Sequence, residues 1–170
     1  MRREVIIGYS KHDILDIRRD YPCVVESIFK QKSKKVGEYG ARFINSLTSD
    51  YYGRTYLLES DKLVLLLIEI FINEVVICKV YFDHIKKGDT VVRRNCLGAL
   101  QKLSLRKKPQ FIMIEKDIIK WILHTLKYEK NSLGEYFYEY ATALLMNLSL
   151  RAAGKKKCEE AEVIKKLIEL

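Results

Sequence analysis

Proline and glycine are scarce in this chain. Two prolines, Pro22 and Pro109, and eight glycines are spread over its 170 residues. An all-β architecture would need turn signals roughly every 8–12 residues, and they are missing. Scarcity of breakers predicts helices joined by short turns. None of the four cysteines, Cys23, Cys78, Cys96 and Cys158, forms a C-x-x-C pair. Cys78 and Cys96 sit inside apolar stretches, where a reduced thiol behaves as a small hydrophobe. With no apolar signal segment after the basic start Met1-Arg2-Arg3, this usage predicts a reducing, intracellular compartment. G-x-G-x-x-G, P-loop, G-x-S-x-G and H-E-x-x-H strings are also lacking, so no nucleotide, cofactor or hydrolytic metal site is expected.

Histidine is nearly as rare, with His12, His84 and His124 the only three. The pairs His12-Asp13 and Asp83-His84 suggest a metal phosphohydrolase, but such a site needs several further His or Asp ligands. His124 reads as a helix-surface or satisfied core residue. The expectation is a protein that catalyses nothing.

What is present is apolar and basic. Hydrophobic residues make up 48% and charged residues 31% of the chain, a balance that supports a packed core rather than disorder. The most apolar run, residues 63–82, approaches the length of a membrane span. Glu69, Asn73, Glu74 and Lys79 interrupt it, at a cost of several kcal/mol in lipid. A buried helix is expected there. The net charge of +9 suits an acidic partner such as nucleic acid, an anionic membrane or a tubulin-like surface. Lysine-rich surfaces also serve solubility.

The chain repeats itself. Arg94 to Arg106 aligns with Glu139 to Arg151 at a shift of 45 residues, which places Leu100, Leu103, Ser104, Leu105 and Arg106 on Leu145, Leu148, Ser149, Leu150 and Arg151. Cys96 and Gly98 fall on Ala141 and Ala143. Each copy is followed by a basic turn, and 15 residues after Leu103 and Leu148 come Ile118 and Val163, each opening an apolar helix. A weaker copy runs from Gly40 to Thr48 and leads to a helix near Leu63. A shift of this size lies in the roughly 40–47 residue period of armadillo and HEAT units. Inner helix, turn, short helix and longer helix form the predicted unit, and neighbours stack to bury the face that one unit cannot cover. The fold expected is an all-α armadillo/HEAT-like solenoid of three to four units.

Residues 1–170 then form a single repeat domain. Its first unit is degenerate, over about 1–35, and units follow over about 36–88, 89–131 and 132–170. Short helices are expected near Asp13–Asp20 and Pro22–Gln31. Ser60-Asp61, Asp89-Thr90, Asp117 and Asn131-Ser132 each precede an apolar periodic run, as N-caps do. The apolar residues near the end of the sequence have nothing to cover them, which predicts a missing neighbour in the form of further chain or another protein.

Two basic groups recur after the repeated helix: Arg106, Lys107 and Lys108, then Arg151 with Lys155, Lys156 and Lys157. Stacked units would place both on one edge as a ridge for an acidic partner. Cations there also answer a helix C-terminus. A third cluster, Lys30 to Lys35, reads as a loop. Tyrosines gather at Tyr51, Tyr52 and Tyr56 and at Tyr136, Tyr138 and Tyr140, residues suited to contact with protein or single-stranded nucleic acid. At helical spacing they also serve as core. Peptide-binding import receptors carry an asparagine ladder on their inner helices. Here only Asn147 is a candidate rung, because the aligned Lys102 and Ser46 break the pattern.

The strings Val92 to Arg106 and Glu139 to Arg151, with Gly40 to Asn45 and Gly53 to Leu57, resemble the armadillo region of the armadillo-repeat-containing protein nine family, the LisH-domain proteins of basal bodies and cilia. The resemblance covers most of residues 36–154. It implies a non-enzymatic protein-binding scaffold at the ciliary base and along axonemal microtubules, with no cofactor and no membrane span. The positive charge would then meet the acidic tubulin surface. The LisH segment and coiled coil that normally precede these repeats are not in the sequence, as expected of a fragment, a short paralogue or an incomplete gene model. A basic helical-repeat protein that binds nucleic acid is the alternative, although no base-reading code per repeat is visible.

Overall fold

The structure, a computed structural model, describes residues 2–19, 24–81, 91–129 and 133–169, and the side chains of these residues except 73–81. The described residues are helical and contain no strand. The elements are α1 (Arg2–Lys11), α2 (Val24–Lys30), α3 (Lys34–Thr48), α4 (Tyr51–Leu57), α5 (Asp61–Tyr81) and α6 (Val91–Leu103). They continue with α7 (Lys107–Glu115), α8 (Ile118–Tyr128), α9 (Glu135–Ser149), α10 (Ala152–Glu160) and α11 (Val163–Ile168).

Three triplets follow the predicted order: α3–α4–α5, α6–α7–α8 and α9–α10–α11. Their first members form a row, with α6 packed along α3 on one side and along α9 on the other. The short helices α7 and α10 also touch each other. One turn recurs at the end of each row helix. Leu47, Leu103 and Leu148 are buried there, and three residues later Asp50, Arg106 and Arg151 stand in extended backbone as N-caps of α4, α7 and α10. Three residues further on are Gly53, Pro109 and Gly154. A Cβ at Gly53 would lie 2.1 Å from the Leu47 carbonyl oxygen, and one at Gly154 would lie 2.0 Å from that of Leu148. The short helix therefore turns back so tightly on its predecessor that two units use glycine. Pro109 falls in the first turn of α7, where its missing N–H costs nothing.

The 45-residue shift holds in the backbone as well. Asp117 and Glu162, at corresponding places before α8 and α11, both adopt left-handed φ, 54° and 51°. The earlier turn departs from this period: Asp50 precedes Arg106 by 56 residues, and most of the excess lies in α5, which has 21 residues where α8 has 11. The expected unit borders at 88/89 and 131/132 lie outside the described residues, as do Cys23, Pro22, His84, Asp89-Thr90 and Asn131-Ser132, and the side chain of Cys78.

Three local expectations need correcting. Residues 2–11, not assigned to any helix from the sequence, form α1, which packs on α4. The helix expected near Asp13–Asp20 is instead a run of turns in its described part. Asp13 adopts φ 44°, and its carboxylate accepts from the amides of Ile17 (2.9 Å) and Arg18 (3.1 Å). These bonds satisfy the backbone locally and replace the helical ladder. Asp117 occupies the N-cap position of α8, but its side chain makes no capping bond; the carboxylate turns to Lys157 instead.

The core runs without interruption from Ile6 to Val163. Within it Arg93 of α6 is buried, with Glu129 and Thr125 as hydrogen-bond partners. Its guanidinium lies 4.8 Å from the Trp121 ring centre, 5.4 Å from Phe137 and 6.0 Å from Phe71. Four helices, α5, α6, α8 and α9, therefore meet around one cation. Among the described residues no helix is long and apolar enough to cross a membrane.

Candidate functional site

The seven basic residues expected to form a ridge fall into two sorts. Arg106, Lys107 and Lys108 open α7, and Arg151 opens α10, whose body carries Lys155, Lys156 and Lys157. The stretch 155–157 is thus helical rather than a turn. Helices α7 and α10 pack together, so the two basic groups are carried by adjoining helices.

Arg151 and Lys157 face inward and tie units together. Arg151 Nε donates to Gln110 Oε1, and Gln110 Nε2 in turn donates to the Ser104 carbonyl at 2.7 Å. Lys157 donates to the Ile114 carbonyl (2.6 Å) and to Asp117 Oδ1 (2.5 Å), closing the α7–α8 turn of the preceding unit. Its ammonium is the main reason the Asp117 carboxyl is held below the usual carboxylate range.

Arg106 stacks over Tyr51 at 4.8 Å. Lys107 is exposed. Lys108 pairs with Asp61 at 2.8 Å, while Lys155 and Lys156 reach Glu159 and Glu160 only at 3.9 Å. Surface pairs of this kind contribute at most about 1 kcal/mol, so the cations stay available to a partner. Neither α7 nor α10 has an acid in its first turn. Lys107 and Lys108 therefore sit where the helix dipole is already positive, not past a C-terminus where it would welcome them.

The candidate ladder residue Asn147 plays a different part. It is 5% exposed, and its Nδ2 donates to Ser104 Oγ at 2.8 Å and to the Gln101 carbonyl at 3.4 Å. It registers α9 on α6 and is not a rung open to a ligand.

A polar seam that the sequence did not reveal runs across the row instead. Asn45 Nδ2 of α3 donates to Asn95 Oδ1 of α6 (2.9 Å) and to the Tyr136 hydroxyl of α9 (3.3 Å). Lys102 Nζ donates to Asn45 Oδ1 at 2.6 Å and lies 6.0 Å from the ring of Tyr140. Tyr140 stacks on Tyr136 at 4.1 Å, and Arg94 lies over Tyr136 at 5.9 Å. Gly98 makes this possible, because a Cβ there would stand 2.4 Å from the Tyr136 oxygen and 3.0 Å from Asn45 Oδ1. Burial pushes the Tyr136 hydroxyl pKa up. The only trace of the seam in the sequence is a glycine in the middle of a strongly patterned helix.

His12 and His124 are both exposed, and His124 rests on Tyr128 with ring centres 4.5 Å apart. Asp13 is occupied by Tyr56 and two backbone amides. Among the described residues no three His, Cys, Asp or Glu side chains converge as metal ligands would. Cys96 and Cys158 are free thiols, buried and half-buried.

Comparison with known proteins fits this architecture. The family model described as LisH domain-containing protein ARMC9, ARM repeats, matches residues 113–170. LisH domain-containing protein ARMC9 of Bos taurus is 39% identical over 157 residues, 92% of this chain and 22% of the relative. The Mus musculus protein is 39% identical over the same share of this chain and 18% of its own length. The Danio rerio protein is 37% identical over 168 residues, 98% of this chain and 19% of the relative. The chain thus spans about a fifth of the length of the curated relatives it matches. Through nearly all of its length the chain resembles a part of LisH domain-containing protein ARMC9, and over residues 113–170 it resembles the ARM repeats of that family.

Proposed function

We propose that this chain is a non-enzymatic protein-interaction scaffold of cilia and basal bodies, in the cytoplasm and on the cytoskeleton, and that it holds an acidic partner on the edge formed by α7 and α10. The observation that carries this reading is the exposure of Lys107, Lys155 and Lys156 on two adjoining helices whose first turns hold no acid. Lys108 and Arg106 extend the same edge, with Tyr51 stacked beneath Arg106. The net charge of +9 steers a negatively charged partner toward such a surface. The acidic tails of tubulin are the partner that best suits both the charge and the resemblance to a ciliary family.

Fluorescence anisotropy with a labelled, glutamate-rich peptide of tubulin-tail composition tests this. Binding is expected at low salt, with a loss of at least about ten-fold when Lys107, Lys108, Lys155 and Lys156 are all changed to Glu. The quadruple change lies on the surface, so circular dichroism should remain helical. Displacement of the peptide by single-stranded RNA at far lower concentration than by unlabelled peptide would replace this reading with the nucleic-acid one.

A further inference from the structure

The cations at the start of α7 continue onto other helices. Arg106 lies over Tyr51 at 4.8 Å, Tyr51 meets Tyr52 edge to face with ring centres 5.4 Å apart, and Arg3 of α1 lies over Tyr52 at 5.5 Å. These four side chains form one ladder, with a cation at each end and two rings between, which crosses from α7 over α4 to α1. Tyr51 and Tyr52 are 53% and 40% exposed, so the ladder is surface and not core.

Its far end opens into a cleft. Ile7, Ser10 and Lys11 of α1 with Tyr52 and Thr55 of α4 line a hollow of about 300 Å³, at the small end of ligand-sized sites. Both hydroxyls in the lining are engaged within the chain. Thr55 donates to the Tyr51 carbonyl at 3.0 Å, and Ser10 accepts from Arg18 at 3.4 Å. The cleft is therefore mainly apolar, with a cation at its rim. Among the described residues no carboxylate pairs with Arg3, Lys11, Arg106 or Lys107, whereas Lys108 has Asp61. A guanidinium held over a ring still has N–H donors for a carboxylate.

We propose that the acidic segment held on α7 continues across this ladder and seats one aliphatic side chain in the cleft between α1 and α4. This rests on the acidic-partner reading above and deepens it by naming the rest of the recognised sequence. Carboxylates meet Lys107, Arg106 and Arg3, and a leucine-like residue then enters between Ile7 and Thr55, beside Lys11. The three steps of the ladder are spanned by at most about five residues of extended chain, at roughly 3.3 Å each. Single-stranded nucleic acid fits this surface less well. Each ring has a guanidinium over one face, and the two rings stand at 84° to one another, so they give no succession of parallel platforms for bases.

The test uses the full chain and labelled hexapeptides of five glutamates and one leucine, the leucine at either end. Each is compared with the same peptide carrying serine in place of leucine. Fluorescence anisotropy at low salt should show one leucine peptide bound about ten-fold more tightly than its serine counterpart, as expected of an aliphatic side chain removed from water. Ile7→Asn and Thr55→Phe, both at exposed positions and neutral in charge, should each bring that ratio down to about one and leave the serine peptides bound as before. Arg3→Gln should weaken both members of the better pair by about three-fold. Equal binding of leucine and serine peptides, lost on Lys107→Glu, would overturn the cleft and leave the acidic-partner reading standing. A leucine preference untouched by Ile7→Asn and Thr55→Phe would overturn the cleft as well. Failure of all four peptides to bind would overturn both readings. Displacement by single-stranded polyuridylate at lower concentration than by unlabelled leucine peptide would give the ladder to nucleic acid and overturn the proposal.

Discussion

Tyr56 secures the N-terminal turn from a distance. Its hydroxyl donates to Asp13 Oδ1 at 2.8 Å and accepts from the Leu15 amide at 2.9 Å, and burial pushes its pKa up. Removing the hydroxyl in Tyr56→Phe leaves that amide without its partner, at an expected cost of about 1–3 kcal/mol in urea unfolding. Asp13 adds a pH signature. Burial works against its ionisation, but hydrogen bonds from Tyr56 and from the Arg18 and Ile17 amides, with the Arg18 charge, hold its carboxyl below the ordinary 3.8. A carboxyl depressed in the folded state contributes stability that is present above its unfolded value and is lost as pH falls through its folded value. The native chain should therefore be more stable than Asp13→Asn at pH 7, and the difference should shrink as pH drops below about 4. Measuring both proteins in urea at pH 7, 4 and 3 checks this. A constant difference across the three would remove Asp13 ionisation from the explanation.

At the scale of elements, glycines that look alike in the sequence meet opposite demands. Gly154→Ala must push against the Leu148 carbonyl oxygen, 2.0 Å from the new Cβ, and should destabilise by about 1–3 kcal/mol. Gly8→Ala meets nothing within 4 Å inside helix α1 and should stabilise by about 0.5–1 kcal/mol. Urea midpoints moving in opposite directions would bear out the close approach of α10 to α9. The Arg93 cage provides a third test. Arg93→Leu removes both hydrogen bonds that the guanidinium gives to Glu129, which is only 17% exposed, and should cost about 3–5 kcal/mol. The double change Arg93→Met with Glu129→Met should recover much of that, because it removes the buried charge along with its partner.

These elements also show where sequence reading succeeds and where it stops. The 45-residue repeat was legible because Leu103 and Leu148 are buried at identical positions, and burial leaves its mark in residue type. The unit order followed from the same spacing. The turn at 13–19 was not legible, because the Asp13 carboxylate that organises it is fixed in part by Tyr56, 43 residues away. Nor was the role of Asn147: alignment set it beside Lys102 and Ser46, while its partner Ser104 lies 43 residues back. Local patterns report which face is apolar. Which polar groups meet across that face depends on the assembled row. The seam through Asn45, Asn95, Lys102 and Tyr136 likewise exists only once α3, α6 and α9 lie side by side.

For the whole molecule, charge and shape both bear on the proposed scaffold role. A stacked helical array presents a long, extended binding surface. Arg151 and Lys157 bind the preceding unit, whereas Lys107, Lys155 and Lys156 are exposed on the adjoining helices α7 and α10. Replacing Lys157 by Met should thus loosen the α7–α10 contact without much change in affinity for an acidic partner. Replacing Lys107 or Lys156 by Glu should do the reverse, a separation readable by pairing thermal unfolding with peptide binding. The most direct test of the scaffold reading is co-sedimentation of the chain with polymerised microtubules, intact or stripped of their acidic tails. Pelleting with intact polymer, lost on tail removal and on reversal of Lys107, Lys108, Lys155 and Lys156, is the expected result. Failure to pellet at low salt, or pelleting indifferent to the tails, would contradict it.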